Sequence, residues 1–378
     1  MCRTGSIRRA ICALLLGAAA MLSSCAGDAA AAPDVPTRQG VRVGFRLSLG
    51  ETEGYGTRSG AVDDGTSVDY ENYIDLIRSN YRILFFDTDD RYLTAFRPAE
   101  FVPVGGDPLR TPYYEVFGEI DALVAGADFK VVVLANWPNY PDDAVAGETT
   151  IEEICTSVGS RYDYEPPFVP SADAAIPMYG VRRCTGMAFS ADRMTWLGTV
   201  YLLRAMAKIE VVCPTEGWTL ERVALHRYNR MGFCAPDKVY DEADYVSDGE
   251  YEHPRTADIH PVEGAAAEGP LDFGRTDDGR FVICVPEYRN TLGGVRSADA
   301  AEIRVKFEQR KDKEYVIDFK YYQHPPEGSR VGDWFDIRRN YYYKFSITKS
   351  TEYDEPQISI DLYPYDVREL GPIFGQDK

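Results

Sequence analysis

The chain of 378 residues is 44% apolar and 27% charged, and it holds 23 prolines and 32 glycines. This composition is typical of folded globular proteins and excludes a disordered or fibrous chain. Asp and Glu number 60 against 41 Lys and Arg, a formal net charge of -19, so the surface repels phosphate backbones and anionic headgroups. Nucleic-acid binding and electrostatic membrane docking are therefore not expected. At about 150 residues per domain, the length predicts two domains.

The first 24 residues have the organisation of a secretory signal peptide. Three arginines precede an apolar stretch at residues 10–21, which is too short to span a bilayer but fits the hydrophobic region of such a peptide. The stretch runs into Leu22-Ser23-Ser24-Cys25, which resembles the bacterial lipobox, where the cysteine is acylated and becomes the new N-terminus. We expect a signal peptide over residues 1–24 and lipidation, such as palmitate, at Cys25. The alternative is an ordinary signal peptidase site with an incidental cysteine.

The next segment predicts a tether, a strand and a loop. Residues 25–40 are mostly small and unpatterned, which is typical of a flexible tether. Period-two alternation then predicts a strand with one face toward a core; its apolar residues are Val41, Val43, Phe45, Leu47 and Leu49. A Gly-rich acidic stretch at residues 50–65 contains Arg58 and predicts an exposed loop open to proteases.

The rest of residues 41–197 predicts an N-terminal domain of strands with a few short helices. Residues 70–77 and 117–124 have the apolar spacing of helices, while residues 81–86 and 129–137 resemble strands. Thr150 and Glu153 form a capping box that predicts a short helix ending near Gly159.

Residues 198–378 predict a C-terminal domain made almost wholly of strands. Apolar residues keep a period of two in four segments, namely 303–307, 315–321, 341–347 and 358–362. Short alternating strands separated by turn residues favour a β-sandwich. The fold class expected from the sequence is therefore mainly β.

Of the eight cysteines, two lie in the signal peptide and Cys25 is the predicted lipid site. The five others cannot all pair, and none has the CxxC spacing of a metal or redox site. Cys213 and Cys234 are a candidate disulfide if their strands are neighbours, because exported chains meet oxidising conditions. Buried thiols in strands are the alternative.

The sequence carries no recognisable catalytic or cofactor motif. None of the four histidines stands in HExxH spacing, and GxSxG, GxxxxGK[ST] and GxGxxG after a strand are all missing. Asp87, Asp89 and Asp90, like the acidic residues of 237–252, could offer oxygens to calcium, but a solvated hairpin tip is the favoured interpretation. We expect no catalytic residue, metal site or cofactor; a hydrolase with an unrecognised carboxylate pair is the alternative.

The 26 tyrosines are unusually numerous, and residues 321–322 and 341–343 put several on both faces of strands. Packing in half-buried strands is the favoured interpretation, because tyrosine suits such positions without a ligand. The alternative is an exposed aromatic row that binds sugar rings, which would make the chain a monomeric glycan-binding surface lipoprotein.

Several motifs together resemble the Bacteroidales fimbrillin family, whose members are structural subunits of type V pili. Besides the lipobox and the first strand, the motifs are Leu134-Ala135-Asn136-Trp137, Ile176-Pro177-Met178-Tyr179-Gly180, Leu203-Arg204-Ala205-Met206-Ala207-Lys208-Ile209 and Arg339-Asn340-Tyr341-Tyr342-Tyr343. The resemblance runs over nearly the whole chain. It implies two transthyretin-like β-sandwich domains in tandem and export to the outer membrane as a lipoprotein. It further implies cleavage after an arginine by a trypsin-like protease, strand exchange with other fimbrial subunits and support of cell adhesion.

Applied to this sequence, the cleavage that the resemblance implies would free the strand at residues 41–49. Arg38 precedes that strand, while Arg42 and Arg46 lie inside it, so only a cut downstream removes the whole strand, which favours Arg58.

The C-terminus departs from a polymerising shaft subunit, because Gly371-Pro372 interrupts the residues after Pro364 and proline cannot donate to a strand ladder. Accessory, tip and anchor roles stay open, and an anchor would keep Cys25 and the first strand uncut.

Overall fold

The computed structural model describes residues 40–49, 70–104, 108, 111, 113–120, 128–163, 168–190, 192–237, 246–247, 251–252, 259–322, 329–349 and 356–364. The predicted signal peptide, the lipid site Cys25, Arg38 and the predicted cleavage site Arg58 lie outside these residues.

Strands dominate the first half of the described chain. They are β1 (Val41–Ser48), β2 (Tyr81–Phe86), β3 (Tyr92–Ala95), β4 (Arg97–Pro103), β5 (Tyr113–Ile120), β6 (Phe129–Ala135), β7 (Arg161–Asp163), β8 (Met178–Cys184), β9 (Thr195–Tyr201) and β10 (Leu203–Arg204). One α-helix, α1 (Ile151–Thr156), and a 3-10 turn, Val158–Ser160, interrupt them.

The second half of the described chain consists of strands and connecting turns. The strands are β11 (Met206–Val212), β12 (Leu220–Asn229), β13 (Met231–Phe233), β14 (Val246–Ser247), β15 (Tyr251–Glu252), β16 (Ala266–Asp272), β17 (Gly274–Arg275), β18 (Phe281–Pro286), β19 (Thr291–Leu292), β20 (Val295–Arg296), β21 (Glu302–Phe307), β22 (Glu314–Asp318), β23 (Tyr341–Lys349) and β24 (Pro356–Pro364). The prediction of a mainly β chain is confirmed.

Four larger sheets make up most of the described part of the chain. Sheet A has the order β4-β5-β1-β9 and sheet B the order β10-β8-β6-β2-β3. Sheet C has the order β17-β18-β11-β23-β24 and sheet D the order β16-β12-β21-β22. Two-stranded ladders join β7 to β13, β14 to β15 and β19 to β20.

Each pair of sheets encloses its own apolar core. Alternate residues of sheets A and B meet in a cluster that includes Phe45, Val116 and Val131, here called the N-terminal core. Alternate residues of sheets C and D meet in a second cluster around Ile209 and Phe307, the C-terminal core. The period-two patterns in the sequence place these side chains inside, because successive strand residues point to opposite faces.

A third cluster, here called the junction cluster, draws residues from both halves of the chain. Trp137 and Tyr179 from the first half lie in it with Met206, Cys234 and Cys284 from the second. The ladder between β7 and β13 also crosses between the halves. Strand β9 continues through residues 197 and 198, the predicted domain boundary, so the chain passes from sheets A and B to sheet C at Ala205.

The helix predictions met mixed outcomes. The capping box is present, since Thr150 Oγ1 accepts from the Glu153 amide at 3.2 Å and Glu153 Oε2 accepts from the Thr150 amide at 2.8 Å. The helix predicted from residue 117 is wrong, because Tyr113–Ile120 is β5, paired on both sides with β1 and β4. Residues 70–79 contain turns instead of the predicted helix, and Ile77 is 90% exposed.

Within the described part of the chain, no helix combines the length and apolar character that crossing a membrane requires.

Candidate functional site

The candidate site is β1 together with the two strands that flank it. The alternation in the sequence buries all five of its predicted core residues, which are Val41, Val43, Phe45, Leu47 and Leu49, and none of them is more than 8% exposed. Phe45 lies deepest and meets the edge of Phe96, with the ring centroids 5.5 Å apart. Sequence analysis therefore identified the buried face of this strand correctly.

The backbone of β1 is hydrogen-bonded on both sides. All eight of its residues pair with β5 in antiparallel register, from Val41 opposite Ile120 to Ser48 opposite Tyr113. On the other side it runs parallel to β9, with a register shift between Gly44 and Arg46 where β9 carries an extra residue. Strand β1 is thus an interior strand of sheet A.

The far edge of β9 is covered by a side chain from sheet B. Arg182 donates from Nε to the Leu197 carbonyl at 2.7 Å and from Nη1 to the Thr199 carbonyl at 3.1 Å. Between these two carbonyls Gly198 has φ of 91°, a left-handed conformation that favours glycine. Arg182 thereby satisfies edge carbonyls that would otherwise be open to another strand.

The outward face of β1 is apolar around Gly44. A Cβ at Gly44 would lie 3.1 Å from side-chain atoms of Met194, Phe117 and Trp196. Trp196 is 42% exposed and its ring lies 6.4 Å from that of Phe117. These three side chains close over the glycine and leave little room for a larger residue.

Arg46, a rival cleavage site, lies within the paired part of β1. Its guanidinium stacks over the Tyr113 ring at 4.1 Å and its Nη2 lies 3.7 Å from Glu115 Oε1. Proteases bind extended, unpaired backbone, so this position is protected while β1 stays in the sheet.

A buried arginine, Arg204, donates a hydrogen bond to the residue directly after β1. Arg204 is 1% exposed, and its Nη2 donates to the Leu49 carbonyl at 2.9 Å and also to Asn72 Oδ1. Its Nε donates to the Glu71 carbonyl at 3.1 Å, and its Nη1 to Asn340 Oδ1 at 3.1 Å. The segments that flank residues 50–69, at Leu49 and at Glu71 and Asn72, therefore meet at one guanidinium. This role of Arg204 was not predicted from the sequence, where the residue stands only within a family motif; an arginine between apolar residues is the signal that the sequence offers.

A buried ion pair lies beside Arg204. Lys208 Nζ is 2.7 Å from Glu71 Oε1, and the Lys208 side chain is 5% exposed. Burial alone would lower the pKa of Lys208, but the charge of Glu71 and its hydrogen bond raise it above its ordinary value. Lys208 is therefore charged at neutral pH and fixes Glu71, which follows residues 50–69 in the chain.

The described residues hold no group of three His, Cys, Asp or Glu side chains close enough to bind a metal ion. Asp87 instead closes the turn between β2 and β3, accepting at Oδ1 from the amides of Asp89 at 2.9 Å and Arg91 at 2.8 Å. These aspartates therefore lie in the turn of the β2–β3 hairpin.

Cys213 and Cys234 are both free thiols, so the disulfide suggested by the sequence is not formed in the structure. Cys213 packs against the C-terminal core, whereas Cys234 lies in the junction cluster. Burial raises the pKa of both thiols, which keeps them protonated and unreactive near neutral pH.

The tyrosine runs face the protein interior. Tyr342 and Tyr343 are 4% and 1% exposed, and Tyr321, Tyr322 and Tyr341 pack against the C-terminal core. The strand assignment is confirmed for residues 341–343, which begin β23, and is wrong for Tyr321 and Tyr322, which lie after the end of β22. All five pack inward and form no exposed row for sugar rings.

No protein-family model and no curated protein sequence matches the chain. Among solved structures, the tip fimbrial protein Mfa3 from Porphyromonas gingivalis, with a C-terminal truncation, has a similar fold with a TM-score of 0.52 and 13% sequence identity. The similarity covers 85% of this chain and 99% of that one. The resemblance drawn from the motifs is thereby confirmed at the level of the fold.

Two further structures were matched at lower TM-scores. A candidate cell adhesion protein from Bacteroides uniformis has a TM-score of 0.44 and 10% identity, over 87% of this chain and 99% of that one. Another from Bacteroides eggerthii has a TM-score of 0.40 and 13% identity, over 86% and 96%.

Proposed function

We propose that the chain is a structural or accessory subunit of a type V fimbria, exported as an outer-membrane lipoprotein through Cys25 and supporting cell adhesion. It would assemble with other fimbrial subunits by strand exchange after proteolysis. The observation that carries the proposal is β1, an interior strand whose end leads directly into residues 50–69. The fold shared with a tip fimbrial protein supports the proposal. The proposal includes a tandem pair of transthyretin-like sandwiches, expected from the sequence over residues 41–197 and 198–378, with sheets A and B continuing through β10.

Loss of β1 would open a groove with strong affinity for another strand. The flanking strands β5 and β9 would each present unpaired backbone groups along the gap, which an incoming strand satisfies by β-augmentation. Each large apolar side chain that fills the core again contributes about 1.5–3 kcal/mol. A replacement strand with the same alternation would therefore bind tightly and leave slowly.

Release of β1 requires a cut between its end and the next anchored residue. Arg58 lies in that interval, and a trypsin-like maturation protease would cut there. The cut separates β1, with the lipid at Cys25, from the rest of the molecule. A subunit that escapes cutting would stay on the outer membrane as an anchor.

The proposal is tested by limited trypsin digestion of the full chain, followed by N-terminal sequencing of the product and size-exclusion chromatography. We expect the first cut after Arg58 and ladders of assembled subunits that survive mild denaturant. Arg58→Gln should remain uncut at this position and monomeric, while the matched variant Arg38→Gln should behave as the wild type.

A first cut outside residues 50–65, or a cut protein that stays monomeric, would contradict strand exchange. A protein that stays monomeric after cutting and gains thermal stability on addition of a sugar would instead support the glycan-binding alternative.

A further inference from the structure

Three distant stretches of the chain converge on the side chain of Arg204. They are the end of β1 at Leu49, the segment at Glu71 and Asn72, and Asn340 just before β23. Asn340 also accepts from the backbone amide of Arg204 at 3.2 Å, and its φ of 55° is a conformation that asparagine tolerates. Asn340 therefore fixes the orientation of the Arg204 guanidinium that donates to the Leu49 carbonyl.

A cut in residues 50–69 would break the covalent link between Leu49 and Glu71 but would remove neither carbonyl that accepts from Arg204, since both lie outside that interval. Asn72 Oδ1 would still accept from Nη2 after loss of the Leu49 carbonyl, but one charged hydrogen bond in a buried position would be lost, which costs more than loss of a solvent-exposed hydrogen bond. Departure of β1 is thus opposed by Arg204 as well as by the apolar core.

We propose that Arg204 is a positioning residue that retains β1 in the groove after proteolysis, so that cutting and release are separate steps. This inference rests on the proposed strand exchange. The second step begins only when the bond between Arg204 and the Leu49 carbonyl breaks, which gives the cut subunit a lifetime in which its groove is still closed. A closed groove protects the apolar core until a partner strand is at hand.

Arg339 offers a matched control. It is also 1% exposed, and it donates to the Phe233 and Cys234 carbonyls at 3.1 Å and to Glu287 at 2.8 Å. None of these partners belongs to β1. Lysine at either position keeps the charge but cannot reproduce the fork of a guanidinium, so both variants lose comparable buried hydrogen bonds.

The experiment compares the full-length wild type, Arg204→Lys and Arg339→Lys, each cut by trypsin within residues 50–69. The release rate of the N-terminal fragment is followed by size-exclusion chromatography and mass spectrometry, and the urea stability of each uncut protein is measured in parallel. We expect both variants to lose stability, and only Arg204→Lys to release the fragment about tenfold faster than the wild type.

Equal release rates from Arg204→Lys and Arg339→Lys would overturn the inference while leaving strand exchange intact. Retention of the fragment in all three cut proteins would overturn the proposed function as well. If Arg204→Lys does not fold, Asn340→Gly replaces it, because glycine accepts the same φ but removes the amide that holds Arg204. The same acceleration is then expected, and an unchanged rate would overturn the inference.

Discussion

Arg204 and Arg339 are both buried, and both donate to backbone carbonyls of segments that are distant in the sequence. A guanidinium can do this because its donors point in several fixed directions and it stays charged. In a protein with a free Cys213 and a free Cys234, the two arginines fix chain crossings that a secreted domain often fixes with disulfides.

His260 makes stability depend on pH. Its ring stacks on Phe233 with centroids 3.9 Å apart. Burial, and then the charge of Arg339, lower the pKa of His260 below its ordinary value of 6.5, although the Ala235 carbonyl, Asp237 and Glu287 act in the opposite direction. The folded protein therefore binds this proton less readily than the unfolded chain. The contribution of His260 is fully present above pH 6.5 and is lost as the pH falls toward the lowered pKa.

We expect His260→Gln to reduce the difference in the free energy of unfolding between pH 7 and pH 5. Urea denaturation of the wild type and the variant at both pH values measures this difference. An identical pH dependence in the two proteins would show that other groups are responsible.

The two faces of strand β1 have different surroundings. Its inward face supplies four buried residues to the N-terminal core, and Leu49 directly after it supplies a fifth, while its outward face passes beneath Trp196 at Gly44. The inward face is energetically dominant, because buried aromatic and aliphatic side chains contribute more to stability than half-exposed ones.

Phe45→Ala should destabilise the protein by about 3–5 kcal/mol, since it removes a fully buried ring and leaves a cavity. Arg42→Ala, on the exposed face of the same strand, should change stability by less than about 0.5 kcal/mol. Urea unfolding monitored by circular dichroism gives both values. Similar values for the two variants would mean that β1 adds little to the folded state.

Gly118 marks a close approach between β5 and β4. A Cβ there would clash with the Arg97 carbonyl oxygen and lie 2.9 Å from Pro98 Cα, both backbone atoms that cannot rotate away. Gly118→Ala should therefore cost about 1–3 kcal/mol. Gly274→Ala is the control, because its Cβ would meet only the Val282 carbonyl, at 3.5 Å. Comparable thermal midpoints for the two variants would refute the prediction.

At the scale of the whole molecule, the junction cluster ties the two pairs of sheets together. Met206 and Cys284 of sheet C are buried among residues such as Trp137 and Tyr179 from the first half of the chain. A junction of this kind is an apolar core rather than a flexible linker, so unfolding of one half exposes buried surface of the other.

We expect Phe45→Ala to accelerate amide hydrogen exchange in β21 of sheet D as well as in β5 of sheet A. The reason is that the slowest amides of both sheets exchange through a common unfolding event. Ile77→Ala, at a position 90% exposed, should leave both unchanged. Faster exchange confined to β5 would mean that the two halves unfold independently.

The strands were predicted from the sequence more accurately than the helices or the contacts between distant residues. Alternation at residues 41–49 and 303–307 identified β1 and β21, and the capping box at Thr150 identified α1. The helix spacing from Phe117 misled, because Tyr114, Val116, Gly118 and Ile120 also keep a period of two, and pairing with β1 and β4 decided between them. Arg204 could not be assigned, since its partners are up to 155 positions away in the chain.

The position of β1 between an antiparallel and a parallel neighbour has a consequence for selectivity. A strand that enters the vacancy in the direction of β1 restores the antiparallel ladder to β5 and the parallel ladder to β9, whereas a reversed strand would exchange the two ladder types. A strand that pairs with an edge strand of sheet A would form only one ladder. At the edge strand β9, it would first have to displace Arg182. Because the two ladder types place their hydrogen bonds differently, the two strand directions require different registers, and only the direction of β1 reuses the register of the intact sheet.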